Sequence, residues 1–200
     1  MTYLNIKLKD IRPAEISYIA GSLQKGKVIV TPTDTIYGLS CLANNRKAIR
    51  KVNDIKNRDH GKPLLILVSS LSMLKKYVYV NTRQERGLKK LWAKNAVPTT
   101  VILRSRNILP KEIEGGTGAL GVRLPKSEFL IKMIRKVGEP IISTSLNISG
   151  QASIYHPKNL EKYFSEKHRP DLVIEAGSSK TKKASRLIDL REAKKKVIRE

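Results

Sequence analysis

Val28-Ile-Val-Thr-Pro-Thr-Asp-Thr-Ile-Tyr-Gly-Leu39 is a β-branched run that breaks at Pro32 into hydroxyls and one carboxylate before resuming toward Gly38. A buried strand that ends in small polar groups is where α/β proteins tend to hold ligands. Seventeen residues beyond Leu39, Lys56-Asn-Arg58 adds two cations of the kind that grip phosphate. Together the two stretches read as a nucleotide site built without a P-loop.

Outward from that strand, the pattern predicts an alternation of helices and strands. Pro13 suits a first helical turn and Gly26 an exit, giving a helix from about Pro13 to Lys25 ahead of the strand Val28–Thr31. A second, more broken strand covers Ile36–Leu42. Asn44 or Asn45 can cap a helix from Arg46 to about Lys56, whose Ile49, Val52 and Ile55 recur at helical spacing. Lys56 and Arg58 then fall at or just past its C-terminal end. Leu64–Val68 is a continuous apolar run of the kind found in central strands. Helices follow near Ser72–Tyr77, Thr82–Trp92 (capped by Asn81) and Ser127–Val137, the last ended by Gly138. Strands are expected at Thr99–Leu103, Leu120–Leu124, Pro140–Ser145, Leu172–Ile174, Arg186–Asp189 and Lys196–Arg199. The irregular spacing points to an α/β fold with α+β character: one domain over residues 1–200, built as a twisted, open, mixed sheet flanked by helices.

Composition narrows the class. Hydrophobic content of 40% and charged content of 28% fit a globular chain, and no apolar run is long enough to span a bilayer. The stretch Met1–Asp10 has no signal-peptide core, and the single Cys41 lies among apolar neighbours, so a reducing, cytoplasmic setting is expected. Forty Lys and Arg against seventeen Asp and Glu give a net charge of +23. Such a field attracts polyanions, or simply keeps the chain soluble. The densest run extends from Lys180-Thr-Lys-Lys183 to Lys194-Lys-Lys196, with no zinc-finger, helix-turn-helix or RNA-recognition signature beside it.

Three strand ends release hydroxyls into turns: Thr31–Thr35, Ser143-Thr-Ser-Leu-Asn-Ile-Ser-Gly150, and Ser178-Ser179 continuing to Ser185-Arg186. Such groups cradle phosphate or carboxylate oxygens, although Ser, Thr, Asn and Gly are also ordinary turn formers. Plain readings stand beside the others too. Lys56 and Arg58 can complement a helix dipole, Arg123 can pair with a surface acid, Tyr37 can pack, and Arg199 can fray near the terminus. The loop Gly115-Gly-Thr-Gly118 lacks the context of a P-loop or dinucleotide fingerprint. His60, His156 and His168 lack metal-ligand spacing, and Asp34 has no carboxylate partner for acid–base work.

Thr31-Pro-Thr-Asp-Thr-Ile-Tyr-Gly-Leu39, Lys56-x-Arg58 with Lys62-Pro-Leu64, Gly121-Val-Arg-Leu-Pro125 and Ser143-Thr-Ser-Leu-Asn-Ile-Ser-Gly150 occur in the order expected of the YrdC/TsaC family, which the chain resembles from about Val28 to Arg199. The resemblance implies a YrdC-like domain with a concave basic cavity. The implied activity is synthesis of L-threonylcarbamoyladenylate from L-threonine, ATP and bicarbonate or CO2, with Mg2+ accompanying ATP, for the t6A modification of tRNA. It further implies hand-over to a tRNA threonylcarbamoyl-transfer machinery; contact with tRNA or other RNA is an expectation from the charge, and no membrane partner one from the want of a long apolar run. By position, Lys56, Arg58, Ser145 and Asn147 correspond to the signature tetrad around the ATP phosphates. Lys62, Ser153 and Arg199 correspond to further ATP contacts, and Thr35, Leu67, Arg123, Ser143 and Ser185 to positions that hold threonine.

Departures from the family pattern are specific. Ala96-Val-Pro98-Thr-Thr100 stands for Pro-Gly-Pro-x-Thr, Ser185-Arg186 for Ser-Thr, and Ser145-Leu-Asn147 for Ser-Ala-Asn. They leave a YciO-like paralogue as an alternative, and the net charge of +23 leaves an RNA-binding protein without synthase activity as another. Arg186 is expected to narrow or recharge the threonine end of the cavity.

Overall fold

Strand β1 (Thr2–Asn5) opens the chain and α1 (Pro13–Gln24) follows a short 3-10 turn. The computed structural model describes residues 1–179, 181, 183–192 and 195–200; Lys180, Lys182 and Lys194 of the dense basic run lie outside them. Pro13 occupies the first turn of α1, Glu15 closes a capping box on the Arg12 amide, and Gly26, at φ 77°, lets the chain turn away. Then come β2 (Ile29–Thr31), β3 (Gly38–Leu42), α2 (Arg46–Ile55), β4 (Leu65–Leu67), α3 (Leu71–Tyr77), α4 (Thr82–Leu91) and β5 (Thr99–Arg104). The remainder is α5 (Lys111–Glu114), β6 (Ala119–Arg123), α6 (Glu128–Val137), β7 (Ile141–Ser145), β8 (Leu172–Glu175), β9 (Arg186–Asp189) and β10 (Lys196–Arg199). Asn45, Asn81 and Ser127 cap α2, α4 and α6 through their side-chain oxygens, and Gly138, at φ 82°, ends α6.

The ten strands of the described residues join one mixed sheet in the order β1-β8-β2-β3-β7-β4-β6-β5-β9-β10. Four pairs are parallel (β1/β8, β2/β8, β4/β6, β5/β9) and the others antiparallel. Strand pleating sorts side chains onto two faces. On one face Ile66, Val101, Leu103, Val122 and Ile142 meet Ile49 and Val52 of α2, Leu74 of α3 and Leu88 of α4. On the other, Ile29, Leu42, Leu67 and Ile141 pack under Ile19 and Leu23 of α1 and Leu130, Met133 and Ile134 of α6. That helix pair covers only the β8-to-β4 side of its face. Toward β6, β5 and β9 the same face carries Thr100, Ile102, Gly121 and Arg123, which line a cavity of about 470 Å³.

The sequence pattern gave no sign of β1, a short half-exposed strand stabilised by its parallel pairing with β8. The helical turn α5 forms inside what read as a long loop; Ile113 anchors it in the core and its carbonyl accepts from the Leu64 amide at 2.8 Å. The strand expected from Ile36 begins at Gly38, because Thr33 and Thr35 fold the preceding residues into a hydroxyl-braced turn. Among the described residues no helix is long and apolar enough to cross a membrane.

Candidate active site

The break at Pro32 builds one wall of the cavity. The Thr33 hydroxyl donates to the Ile36 carbonyl at 2.7 Å and accepts from the Thr35 amide at 3.0 Å, a hydroxyl turn that aims Thr35 into the cavity. Asp34 points the other way, where its carboxylate accepts from an Arg123 terminal nitrogen at 2.9 Å and from the Lys126 amide at 3.1 Å. Beyond the turn, Tyr37 is buried; its hydroxyl donates to the Gly177 carbonyl at 2.7 Å and accepts from the Ala176 amide at 3.0 Å. Gly38 is required by space. A Cβ there would lie 2.6 Å from the Ser143 hydroxyl, which enters the cavity from β7.

At the end of β6, Arg123 is 5% exposed. One terminal nitrogen donates to the Thr35 hydroxyl at 3.0 Å, the other to Asp34, and its buried Nε has no partner among the described residues. Burial pulls the guanidinium below its ordinary pKa and Asp34 opposes that; it remains charged. The cavity therefore holds a cation whose orientation is fixed by one bond from each terminal nitrogen, while those nitrogens carry further N–H groups. Across from it the Ser185 hydroxyl lies 2.8 Å from that of Thr100, and Arg199 binds the Ser185 carbonyl through Nε and a terminal nitrogen at 3.1 and 2.7 Å.

The Lys-x-Arg pair divides because α2 ends at it. Asn57 adopts φ 45°, the left-handed conformation that terminates helices, and the Arg58 amide returns to the Asn53 carbonyl at 2.9 Å. This turn sends Lys56 inward and Arg58 to the cavity wall. Lys56 is 2% exposed; its ammonium donates to the Ser145 carbonyl at 2.6 Å, the Asn147 carbonyl at 2.9 Å and Asn147 Oδ1 at 2.8 Å. Three acceptors consume all three of its protons. Burial first, and then the neighbouring Arg58, pull its pKa from 10.5 to about 8. Asn147 Oδ1 also accepts from the Ser145 hydroxyl at 2.7 Å, while Asn147 Nδ2 donates to the Gln151 carbonyl at 2.7 Å. Arg58 donates to the Pro63 carbonyl at 2.9 Å, and its buried Nε has no partner among the described residues. Burial lowers its pKa as well, with Asp59 opposing.

Thr35, Arg58, Arg123, Ser143, Ser145, Ser185 and Arg199 thus share one hollow, together with the ends of all three hydroxyl-bearing segments. Other candidates do not line it. Lys56 and Asn147 stand behind Ser145 as its support. Leu67 is fully buried beneath α6, and Leu65, two residues earlier on the same face, lines the cavity instead. Lys62 is exposed on the loop after α2, and Ser153 lies on the loop after β7, both outside the lining. Arg186 corrects an expectation: Ser185 and Leu187 face the cavity, so the pleat of β9 puts Arg186 on the opposite face with Ile188. Sequence reading missed Arg191, a lining residue whose guanidinium pairs with Asp189 at 2.7 Å, and held the lining residues Thr33 and Thr100 only within longer segments, without singling them out. The Asp189-x-Arg191 spacing at a strand end was the available signal. Four guanidinium groups and no carboxylate line the hollow among the described residues.

Three relatives show what this arrangement resembles. The family model described as telomere recombination, for Sua5, YciO and YrdC, matches residues 21–200. A Methanocaldococcus jannaschii protein provisionally named threonylcarbamoyl-AMP synthase is 33% identical over 199 residues, covering 98% of this chain and 91% of the relative. The crystal structure of Pyrococcus abyssi Sua5 complexed with L-threonine superposes with a TM-score of 0.89 at 28% identity, over all of this chain and 57% of the longer Sua5 chain. Escherichia coli YciO superposes at 0.81 with 24% identity, a likeness of fold. On sequence and on architecture alike, the chain belongs to the Sua5/YciO/YrdC family.

Proposed function

We propose that the chain is an L-threonylcarbamoyladenylate synthase, a nucleotidyltransferase that joins L-threonine, bicarbonate or CO2 and ATP, releases pyrophosphate, and supplies the t6A modification of tRNA through a threonylcarbamoyl-transfer machinery. One observation carries the reading. A single hollow places an orientated, incompletely satisfied Arg123 among the hydroxyls of Thr35, Ser143 and Ser185, and sets Arg58, Ser145 and Arg199 into the same wall. The first group fits an amino acid with a carboxylate and a hydroxyl, the second a polyphosphate.

The chemistry needs no protein nucleophile. The amine of threonine loses a proton and takes up CO2 to give a carbamate, whose oxygen attacks the α-phosphorus of ATP as pyrophosphate leaves. The lining has no carboxylate or imidazole among the described residues, so the amine proton passes to bicarbonate or solvent. Catalysis rests on proximity and on charge: Arg123 fixes the threonine carboxylate, and Arg58 and Arg199 offset negative charge on the phosphates. Ser145, held by the Lys56–Asn147 support, adds a hydroxyl at the same place. The described residues contain no cluster of acidic, histidine or cysteine side chains able to hold a metal. Mg2+ would accompany the phosphates as part of the nucleotide substrate.

The test is pyrophosphate release from ATP with and without threonine and bicarbonate. Release that requires both supports the reading. ATP turnover indifferent to threonine, or none at all, would favour a YciO-like paralogue or an RNA-binding protein. Arg186 gives no support to a recharged threonine pocket, because its side chain leaves the sheet on the other face.

A further inference from the structure

Residues 71–106 hold nine Lys and Arg and the single acid Glu85, about a third of the net charge of +23 in under a fifth of the chain. They form α3, α4, their connection and β5; the two helices lie on the face of the sheet opposite the cavity, where Leu74, Leu88 and Leu91 pack on the core and Arg83, Arg86, Lys89 and Lys90 are exposed. Glu85 is already shared between Lys75 at 2.7 Å and Lys89 at 3.5 Å. Lys76, Arg83, Arg86 and Lys90 are exposed, and their side chains have no ion-pair or hydrogen-bond partner among the described residues. Arg83, Arg86 and Lys90 recur at three- and four-residue steps, which puts them on one side of α4. A stripe of this kind gathers counterions that a polyanionic partner displaces on binding.

The connection between the two helices adds a second element. Tyr79 is 55% exposed, and the guanidinium of Arg106 lies 4.3 Å from the centre of its ring. Arg106 is held there by donation from Nε to the Val78 carbonyl at 3.2 Å, and the Val78–Ser105 bridge fixes the connection to the end of β5. A positioned, exposed aromatic ring with an arginine over it stacks unpaired bases; cations alone would suffice for an acidic protein. The geometry points to an RNA-docking face formed by α4, the α3–α4 connection and the end of β5. It does not depend on the synthase reading, because it lies across the sheet from the cavity.

The experiment measures binding of a fluorescein-labelled, unmodified tRNA transcript by anisotropy across a sodium chloride series. The variant Lys76→Gln/Arg83→Gln/Arg86→Gln/Lys90→Gln removes four charges from the proposed face. A matched control, Lys9→Gln/Lys25→Gln/Arg135→Gln/Lys136→Gln, removes four from the exposed side chains around α1 and α6. The face variant should weaken binding at least about tenfold and make the slope of log K against log salt shallower by about 3, as expected for four lost phosphate contacts. The control should leave the slope unchanged. Tyr79→Leu should weaken binding about tenfold without altering the slope, the mark of lost stacking. Equal losses in the two four-site variants would overturn the proposal in favour of diffuse charge. No effect of Tyr79→Leu, or displacement of the RNA by polyglutamate as effectively per charge as by unlabelled RNA, would overturn it in favour of an acidic protein partner. Pyrophosphate release in the face variant should match wild type.

Discussion

Replacing Lys56 with Met keeps an unbranched stem and deletes the ammonium, so the variant isolates what the charge does. The ammonium holds the Ser145 carbonyl, the Asn147 carbonyl and Asn147 Oδ1 within 2.6–2.9 Å. A pKa drawn from 10.5 to about 8 means that burying the charge costs about 3 kcal/mol relative to the neutral amine. Deleting it relieves that cost but strands three acceptors, each worth about 1–3 kcal/mol when left dry. Water entering from the adjacent cavity holds the penalty near the lower figure, so the net loss of stability is about 0–3 kcal/mol and the variant folds. Turnover suffers far more. Ser145 and Asn147 lose their anchor, and the rate of pyrophosphate release falls on the order of a hundredfold, the scale of one lost preorganised donor. Because the effect travels through the turn, Lys56→Met combined with Asn147→Ala should be little worse than either alone. The assay is threonine-dependent pyrophosphate release beside thermal melts. Losses that multiply in the double variant, or near-wild-type turnover in Lys56→Met, would refute the argument.

The same lysine predicts a pH dependence. Only the ammonium form has three protons to give, so above pH 8 one of the three bonds is lost and the support loosens. The value of kcat/KM for ATP, at saturating threonine, should fall as pH rises through about 8. Stability has the opposite sign. The folded state releases its proton near pH 8 and the unfolded state near 10.5, so between these values the unfolded chain holds more protons and this group's contribution to stability rises with pH. Lys56→Met should flatten both profiles.

Two further substitutions separate the ends and the faces of the sheet. Arg123→Lys keeps the charge but loses the fork that reaches Thr35 and Asp34 together; the KM for threonine should rise about a hundredfold while the KM for ATP stays within about twofold, as steady-state kinetics in each substrate would show. Arg186→Thr restores the residue type usual in the family and should leave the threonine KM unchanged, because its side chain is on the far face. Since its Nε is buried without a partner among the described residues, thermal melts should show equal or higher stability, by up to about 1 kcal/mol.

The strands and helices that place the site were legible because their signals are local. Pro13, Asn45, Asn81, Ser127 and Gly138 each sit where a helix begins or ends, and the apolar runs between them became the central strands. The short β1 was not legible: its half-exposed residues pair with a strand about 170 positions away, and nothing in its own pattern records that. The site was legible as a set of residue types but not as a division of labour. Thr35, Ser143 and Ser185 are small hydroxyls far apart in sequence, and only the sheet order brings β3, β7, β4, β6, β5 and β9 side by side. Arg186 shows the limit. Adjacent to Ser185 in sequence, it read as part of the site, yet a one-residue step along a strand reverses the face.

Lys56-Asn-Arg58 carries the more general point. Two cations at the end of a helix read naturally as a pair acting on the same phosphate, but the intervening Asn57 is left-handed and points them in different directions. Arg58 remains on the wall, while Lys56 is consumed by carbonyl and amide oxygens of the turn after β7. An asparagine in the C′ position was the visible cue, since Asn tolerates that conformation better than most residues. A β-branched residue at position 57 would disfavour the helix ending, rotate Arg58 away from the hollow and unseat Lys56 together. The spacing of the motif is thus a demand of helix termination as much as of phosphate chemistry, and it couples the end of α2 to the seryl turn of β7 through one buried ammonium.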